Sequence, residues 1–154
     1  ILSITPKYDR LGEWVSYFHA YAHDFFENLP IRLSFDFPEI SEASTTILDK
    51  RMRRNLFFVF KEALNNIAKH SKANNVDISI NADFQGFRLM ISDDGVGFDV
   101  TRLPKFRNGL TNMKTRLDEI DATVEFYSAP QHGTRIEIFC RLDEAASRLN
   151  TTKM

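Results

Sequence analysis

Glu62, Asn66 and Lys69 lie within the run Lys61-Glu62-Ala63-Leu64-Asn65-Asn66-Ile67-Ala68-Lys69-His70. At about 100° per residue, their spacing puts a carboxylate, a carboxamide and an ammonium on one helical stripe. The stripe borders a second face made of Leu56, Phe60, Ala63, Leu64 and Ile67. A carboxylate in such a place can take a proton from an attacking nucleophile or hold a water. An amide oxygen suits a hard cation such as magnesium, which keeps most of its waters. A lysine neutralises phosphate charge. An ordinary solvated face also mixes Lys and Glu, so the stripe gains meaning only from the glycine-rich segments downstream of it.

The first of these segments comes after a strand-like run, Phe87 to Ser92, and reads Asp93-Asp94-Gly95-Val96-Gly97-Phe98. Asp93 closes a buried strand, where a carboxylate is costly without a partner, whereas Asp94 reads as a solvated neighbour. Gly95 and Gly97 let the backbone turn and approach a ligand closely; a simple turn is the plainer reading. Further on, Gly109 and Leu110 open a helix whose free N–H groups suit a polyphosphate. Thr134 comes directly after Gly133 at the start of another strand. It reads either as an ordinary β-branched strand residue or as a hydroxyl aimed at a ligand.

In this order and spacing, the blocks resemble the N box, two glycine boxes and terminal Gly-Thr of the GHKL ATP-binding family, which includes gyrase, heat-shock chaperone ATPases, histidine kinases and mismatch-repair ATPases. Lys-Glu-Ala-Leu-Asn-Asn-Ile-Ala-Lys-His-Ser and Asn-Gly-Leu-x-Asn-Met-Lys-x-Arg are most similar to the catalytic domain of two-component sensor histidine kinases, over about residues 31–142. The resemblance implies ATP and magnesium as cofactors, with Asn66 as metal ligand and Glu62 as the catalytic carboxylate. It implies Lys69, Asn108, Gly109 and Leu110 near the phosphates, and Asp93 on the exocyclic amine of adenine. Gly95 and Gly97 would border the ring, and Thr134 would help to fix it. The stretch from Gly95 to Asn108 would be the ATP lid. Two positions depart from the pattern: Asp94 replaces a common Asn, and Arg107 stands where the first glycine of Gly-x-Gly-Leu would be.

As partners, the resemblance implies a histidine-containing dimerisation domain that receives the terminal phosphoryl, and, indirectly, a response regulator. It implies the cytoplasmic domain of a membrane-anchored sensor, without direct membrane contact and monomeric in isolation. His23-Asp24 is similar to a phospho-acceptor dipeptide, but only Phe25 to Pro30 separate it from a strand, leaving no room for a second hairpin helix. His23 therefore reads as a helix residue. With His19 it makes an i, i+4 pair for which no third metal ligand is apparent. Two other readings stand beside the kinase: a serine kinase of the anti-sigma type with the same boxes, and a degenerate nucleotide-binding interaction module. The missing glycine at Arg107 speaks for the module; the retained Glu62, Asn66, Asp93, Gly95, Gly97 and Gly109 speak against it.

Several elements must position these groups. Apolar spacing predicts a helix over about residues 7–28, and the resemblance implies that the N-terminal segment 1–30 leads from an acceptor hairpin. A catalytic domain over 31–142 and a polar tail over 143–154 would come next. Ile31, Leu33, Phe35 and Phe37 alternate as a half-buried strand stopped by Pro38. A helix over about 48–71 carries the stripe. Val76 to Ala82 and Phe87 to Ile91 alternate around a Gly-containing turn, predicting an antiparallel hairpin. Leu110, Met113, Leu117 and Ile120 predict a helix from near Gly109, and two strands around the turn 129–133 complete the set. The expected fold is an α/β two-layer sandwich, a mixed, mostly antiparallel sheet covered by helices; the resemblance makes it the Bergerat-type ATP-binding fold.

The 154 residues, 43% hydrophobic and 27% charged, suffice for one domain. A net charge of −1 gives no footprint for nucleic acid or an anionic membrane. The single Cys140 excludes an internal disulfide and fits a reducing compartment. No run is apolar enough to span a bilayer and no signal-peptide pattern opens the chain. Because it begins without methionine, a piece of a larger protein is expected. P-loop and protein-kinase signatures are missing.

Overall fold

The computed structural model describes residues 10–37, 47–83, 85–99 and 107–141. The predicted 143–154 tail and most of the predicted lid lie outside them.

Helix α1 spans Leu11–Phe26, and its Leu11, Trp14, Val15, Phe18, Ala22 and Phe26 recur at helical spacing and are all buried. Strand β1 spans Arg32–Asp36. Helix α2 spans Lys50–Asn66 and starts two residues later than its apolar pattern. The start is fixed by Asp49, whose carboxylate accepts the N–H of Met52 at 2.8 Å and satisfies one of the helix's orphan donors. At Ile67–Ser71 the helix widens into a π turn and then stops at Lys72, which has φ +53°. Ser71 secures the exit: its hydroxyl donates to the Ile67 carbonyl at 2.7 Å and accepts the Ala73 N–H at 3.1 Å.

Strands β2 (Asn75–Ala82) and β3 (Gly86–Asp93) form the predicted hairpin. Asp83 shapes its turn by accepting the N–H groups of Gln85 and Gly86. Helix α3 spans Arg107–Asp118, followed by β4 (Ala122–Ser128) and β5 (Thr134–Arg141). The sheet order is β1-β2-β3-β5-β4. The β1–β2 pair is parallel, as the α2 crossover between them permits, and the other three pairs are antiparallel. The mixed, mostly antiparallel sheet expected from the sequence is present.

The register aligns Phe35, Ile78, Ile91, Ile136 and Phe126 in one row across all five strands, with Ile80, Leu89, Ile138 and Val124 in a second. The helices cover this apolar face. Phe18 of α1 stacks on Phe60 of α2 with ring centroids 4.2 Å apart, and Trp14 meets Phe87 of β3 edge-on at 5.6 Å. α1 thus shares one core with α2 and the sheet. α3 is tied to α2 by the fully buried Asn55, whose amide donates to the Arg116 carbonyl at 2.7 Å and to Glu119 Oε2 at 2.8 Å. Cys140 is fully buried in β5, and burial pushes its thiol pKa up to about 11.

The opposite sheet face carries polar and aromatic side chains. There Arg135 lies over the Tyr127 ring and 3.2 Å from Glu137, and Arg88 lies over Phe139. No helix of the described residues is long and apolar enough to cross a membrane.

Candidate functional site

The central apolar row ends as a floor. Above Ile91, Ile136 and Phe126, between the end of α2 and the start of α3, opens a cleft. Asn66 and His70 line one side, Gly97, Phe98 and Leu110 another, and Asp93 and Thr134 stand at the end of the floor.

Asp93 is 8% exposed. Burial raises its pKa; the Gly95 N–H, donating to Oδ1 at 2.9 Å, acts against that, and neighbouring Asp94 adds to it. A buried carboxylate of this kind suits a ligand that brings a hydrogen-bond donor. Asp94 is more than a solvated neighbour, which corrects the sequence reading. Its Oδ1 accepts the N–H groups of Asn74 and Asn75 at 2.9 Å each, and its Oδ2 accepts from Asn75 Nδ2 at 2.7 Å. These bonds, the Asn75 side chain foremost, lower its pKa. They pin the start of β2 to the end of β3 directly beneath the cleft.

The glycines at 95 and 97 answer to backbone contacts. A Cβ on Gly95 would run into the Ser71 carbonyl of the π turn, and the next residue, Val96, donates its N–H to that same carbonyl at 2.7 Å. Gly97 has φ +62°, and a Cβ there would strike the Ala129 carbonyl in the β4–β5 turn. The glycine loop is therefore pressed between the end of α2 and that turn.

Which basic residue reaches the cleft follows from the side of Asn66 on which it lies. Ala63, Ile67 and His70 share the flank of Asn66 that lines the cleft, whereas Lys69 lies on the other flank with Glu62, exposed and absent from the lining. Glu62 is half-buried, one turn before Asn66, and faces α3: its Oε1 lies 3.4 Å from where a Cβ on Gly109 would sit. α3 begins at Arg107, two residues before the predicted start, so Asn108, Gly109 and Leu110 all belong to its first turn. The N–H groups of Asn108 and Gly109 are among the four a helix start leaves without an intrahelical partner, and a helix N-terminus favours negative charge. Of the predicted lid, the described part is Gly95 to Asp99 and the helical Arg107 and Asn108.

The structure thus brings Asn66, Asp93, Gly97, Leu110 and Thr134 to one cleft, with Gly95, Glu62 and Gly109 immediately behind its walls and Lys69 outside it. His19 and His23 sit on the exposed side of α1; His19 stacks on Phe35 at 4.6 Å, and His23 Nδ1 is 3.7 Å from Asp24 Oδ1. Among the described residues no group of three or more His, Cys, Asp or Glu could hold a metal. A single neutral carboxamide at the cleft fits a magnesium whose remaining ligands come from phosphates and water. Sequence reasoning missed Ser128, which holds Thr134, Gly133 and Phe98 through its hydroxyl. Its role comes from the cross-strand register, which sets Ser128 opposite Thr134 across the five-residue turn.

Residues 52–144 match the family model described as histidine kinase-, DNA gyrase B-, and HSP90-like ATPase. The chain is similar to the sensor histidine kinase LiaS of Bacillus subtilis, 31% identical over 115 residues, covering 75% of this chain and 30% of that protein. It is similar to the sensor protein VraS of Staphylococcus saprophyticus, 32% identical over 124 residues, covering 80% and 34%. The chain therefore spans about a third of the length of these curated relatives. Among solved structures, a histidine kinase domain from the Erythrobacter litoralis blue-light activated histidine kinase superimposes with a TM-score of 0.66 at 17% identity, covering 90% of this chain and 64% of that one. Acinetobacter baumannii histidine kinase AdeS gives 0.67 at 17%, covering 87% and 66%. At that identity the likeness concerns the fold.

Proposed function

Because the chain belongs to the histidine kinase-, DNA gyrase B- and HSP90-like ATPase family, we propose that it is the ATP-binding catalytic domain of a sensor histidine kinase. The observation that carries the reading is the convergence of Asp93, Asn66 and the first turn of α3 on one cleft with an apolar floor. Adenine would lie on Ile91, Ile136 and Phe126, its exocyclic amine donating to Asp93 and its edge near Thr134, with Gly95 and Gly97 keeping the wall thin. The triphosphate would run toward the first turn of α3 at Asn108, Gly109 and Leu110, where the N–H groups of Asn108 and Gly109 have no intrahelical partner. Lys69, exposed one turn past Asn66, would meet phosphate only from the rim; His70 is the nearer cation when protonated.

Asn66 would hold magnesium through its side-chain oxygen, and the metal would supply neutralisation of phosphate charge. Glu62 would orient the incoming nucleophile or take its proton. In the transfer itself, a histidine nitrogen from a dimerisation domain outside residues 1–154 bonds to the terminal phosphorus. The bond from that phosphorus to the bridging oxygen breaks, and ADP leaves. The phosphoryl would pass onward to a response regulator. Consistent with relatives named as sensors, the domain would work on the cytoplasmic side of a membrane-anchored protein. The same names do not favour the anti-sigma-type alternative.

Calorimetry with magnesium and ATP tests the reading. Binding at micromolar to submillimolar ATP that weakens in Asn66→Asp, with the fold intact, is the expected result, and no heat at millimolar ATP from the wild type overturns it. Phosphorylation of the dimerisation domain of the full-length protein should give an acid-labile product; an acid-stable one points to a serine acceptor.

A further inference from the structure

Ser128 ends β4 opposite Thr134, and Thr134 is in turn opposite Asp93 on β3, so the three share one cross-strand row. Thr134 and Asp93 line the cleft, and Ser128 stands behind them. The Ser128 hydroxyl accepts the Phe98 N–H at 2.9 Å, donates to the Gly133 carbonyl at 2.9 Å, and lies 2.9 Å from Thr134 Oγ1.

The directions of these bonds are constrained. A serine hydroxyl has one proton and two lone pairs, a carbonyl can only accept, and a backbone N–H can only donate. The Ser128 proton is therefore directed to Gly133 and one lone pair to Phe98. The remaining contact is a hydrogen bond only with Thr134 as donor. With its proton held there, Thr134 has only lone pairs left for the cleft. The neighbouring Asp93 carboxylate, when ionised, is likewise acceptor-only.

We infer that Ser128 is a specificity-setting positioning residue: by holding the Thr134 proton it makes the base-facing wall acceptor-only, so the cleft selects a purine with an amino group at C6 over one with an oxo group. This rests on the reading of the cleft as an adenine site. Ser128 touches no ligand; it acts through the sense of one hydrogen bond. Because it also holds Phe98, simple loss of shape is the competing explanation, and the test is chosen to separate the two.

The affinities of the 154-residue chain for magnesium-ATP and magnesium-ITP, whose bases differ at C6 by amine against oxo, are measured by calorimetry for wild type, Ser128→Ala, Thr134→Val and the double variant, each with a thermal melt. The wild type should prefer ATP. Ser128→Ala frees the Thr134 proton to donate to an oxo group, so the ATP:ITP preference should fall by about two- to about twelvefold, the worth of one neutral hydrogen bond. Thr134→Val should lower the preference similarly, and the double variant no further, because both remove the same interaction. If Ser128→Ala weakens both nucleotides by one common factor, its role is only to hold shape and the inference falls. If Ser128→Ala does not fold, Thr134→Val decides: an unchanged preference means that its hydroxyl does not read the base, and the inference falls. A wild type that binds neither nucleotide overturns the adenine reading itself, an outcome distinct from ATP binding with an unmoved preference.

Discussion

Replacing Asp93 with asparagine should part binding from stability. The wild-type carboxylate has two oxygens with about four lone-pair sites; it accepts the Gly95 N–H at Oδ1 at 2.9 Å and the Thr134 backbone N–H, which still leaves acceptor capacity for an adenine amine. Asparagine offers a single oxygen and an NH2 group. Either the Gly95 N–H or the adenine amine must then face a donor. A lost hydrogen bond to a charged group is worth about 1.5–3 kcal/mol, so ATP affinity should drop by about ten- to about 150-fold. Stability should move the other way. Burial raises the Asp93 pKa in the fold, so the folded state takes up a proton more readily than the unfolded chain. Its ionised form is therefore a liability at neutral pH, relieved as pH falls through the raised folded value toward the unfolded one of about 3.9. Asp93→Asn removes that liability while retaining an acceptor for Gly95. The nucleotide-free variant should melt at or above the wild-type temperature at pH 7, and added magnesium-ATP should raise its melting point less than it raises the wild type's. Paired calorimetry and thermal melts read both quantities. A folded variant that binds ATP within about threefold of wild type would refute the reasoning, as would a variant that loses ATP only because it no longer folds.

Three further outcomes are expected. Gly97→Ala forces a Cβ onto a backbone at φ +62° and against the Ala129 carbonyl, so urea unfolding should show a loss of about 1–3 kcal/mol, accompanied by weaker nucleotide binding. Phe18→Ala removes a fully buried ring stacked on Phe60 and should cost about 3–5 kcal/mol of stability, again by urea unfolding. Asp94 has its pKa lowered by bonds from the Asn75 side chain and the Asn75 and Asn74 amides; its contribution is present above the unfolded value of about 3.9 and is lost as pH falls through the lower folded one. Asp94→Ala should therefore flatten the acid limb of a stability–pH curve below about pH 4 and leave its neutral-to-alkaline limb unchanged in slope.

The apolar architecture is legible in the sequence because each period has one physical meaning. Alternation at Ile78 and Ile80 and at Leu89 and Ile91 places a row facing the helices, and helical recurrence at Leu56, Phe60, Ala63 and Leu64 places the face that meets it. Asn66 and Asp93 can be read as neighbours of a cleft because one borders an apolar helix face and the other ends a buried strand. Features that escape depend on geometry without a periodic trace. The stripe of Glu62, Asn66 and Lys69 does not say which of its flanks meets a ligand; tertiary packing turns the flank with Ala63, Ile67 and His70 to the cleft and leaves Lys69 outside. The work of Asp94 depends on the β1–β2–β3 junction, and that of Ser128 on cross-strand register, neither of which local composition contains. The start of α3 at Arg107 escapes because Gly109 reads as the first helical residue when it is the third.

Cys140 has a practical consequence. The protein's only thiol is sealed within β5 and kept protonated by its surroundings, so it should stay silent toward maleimide reagents, which need an accessible thiolate. A single cysteine introduced on the cleft rim, at the exposed Lys69 for example, would then carry a fluorophore with no background from the native chain.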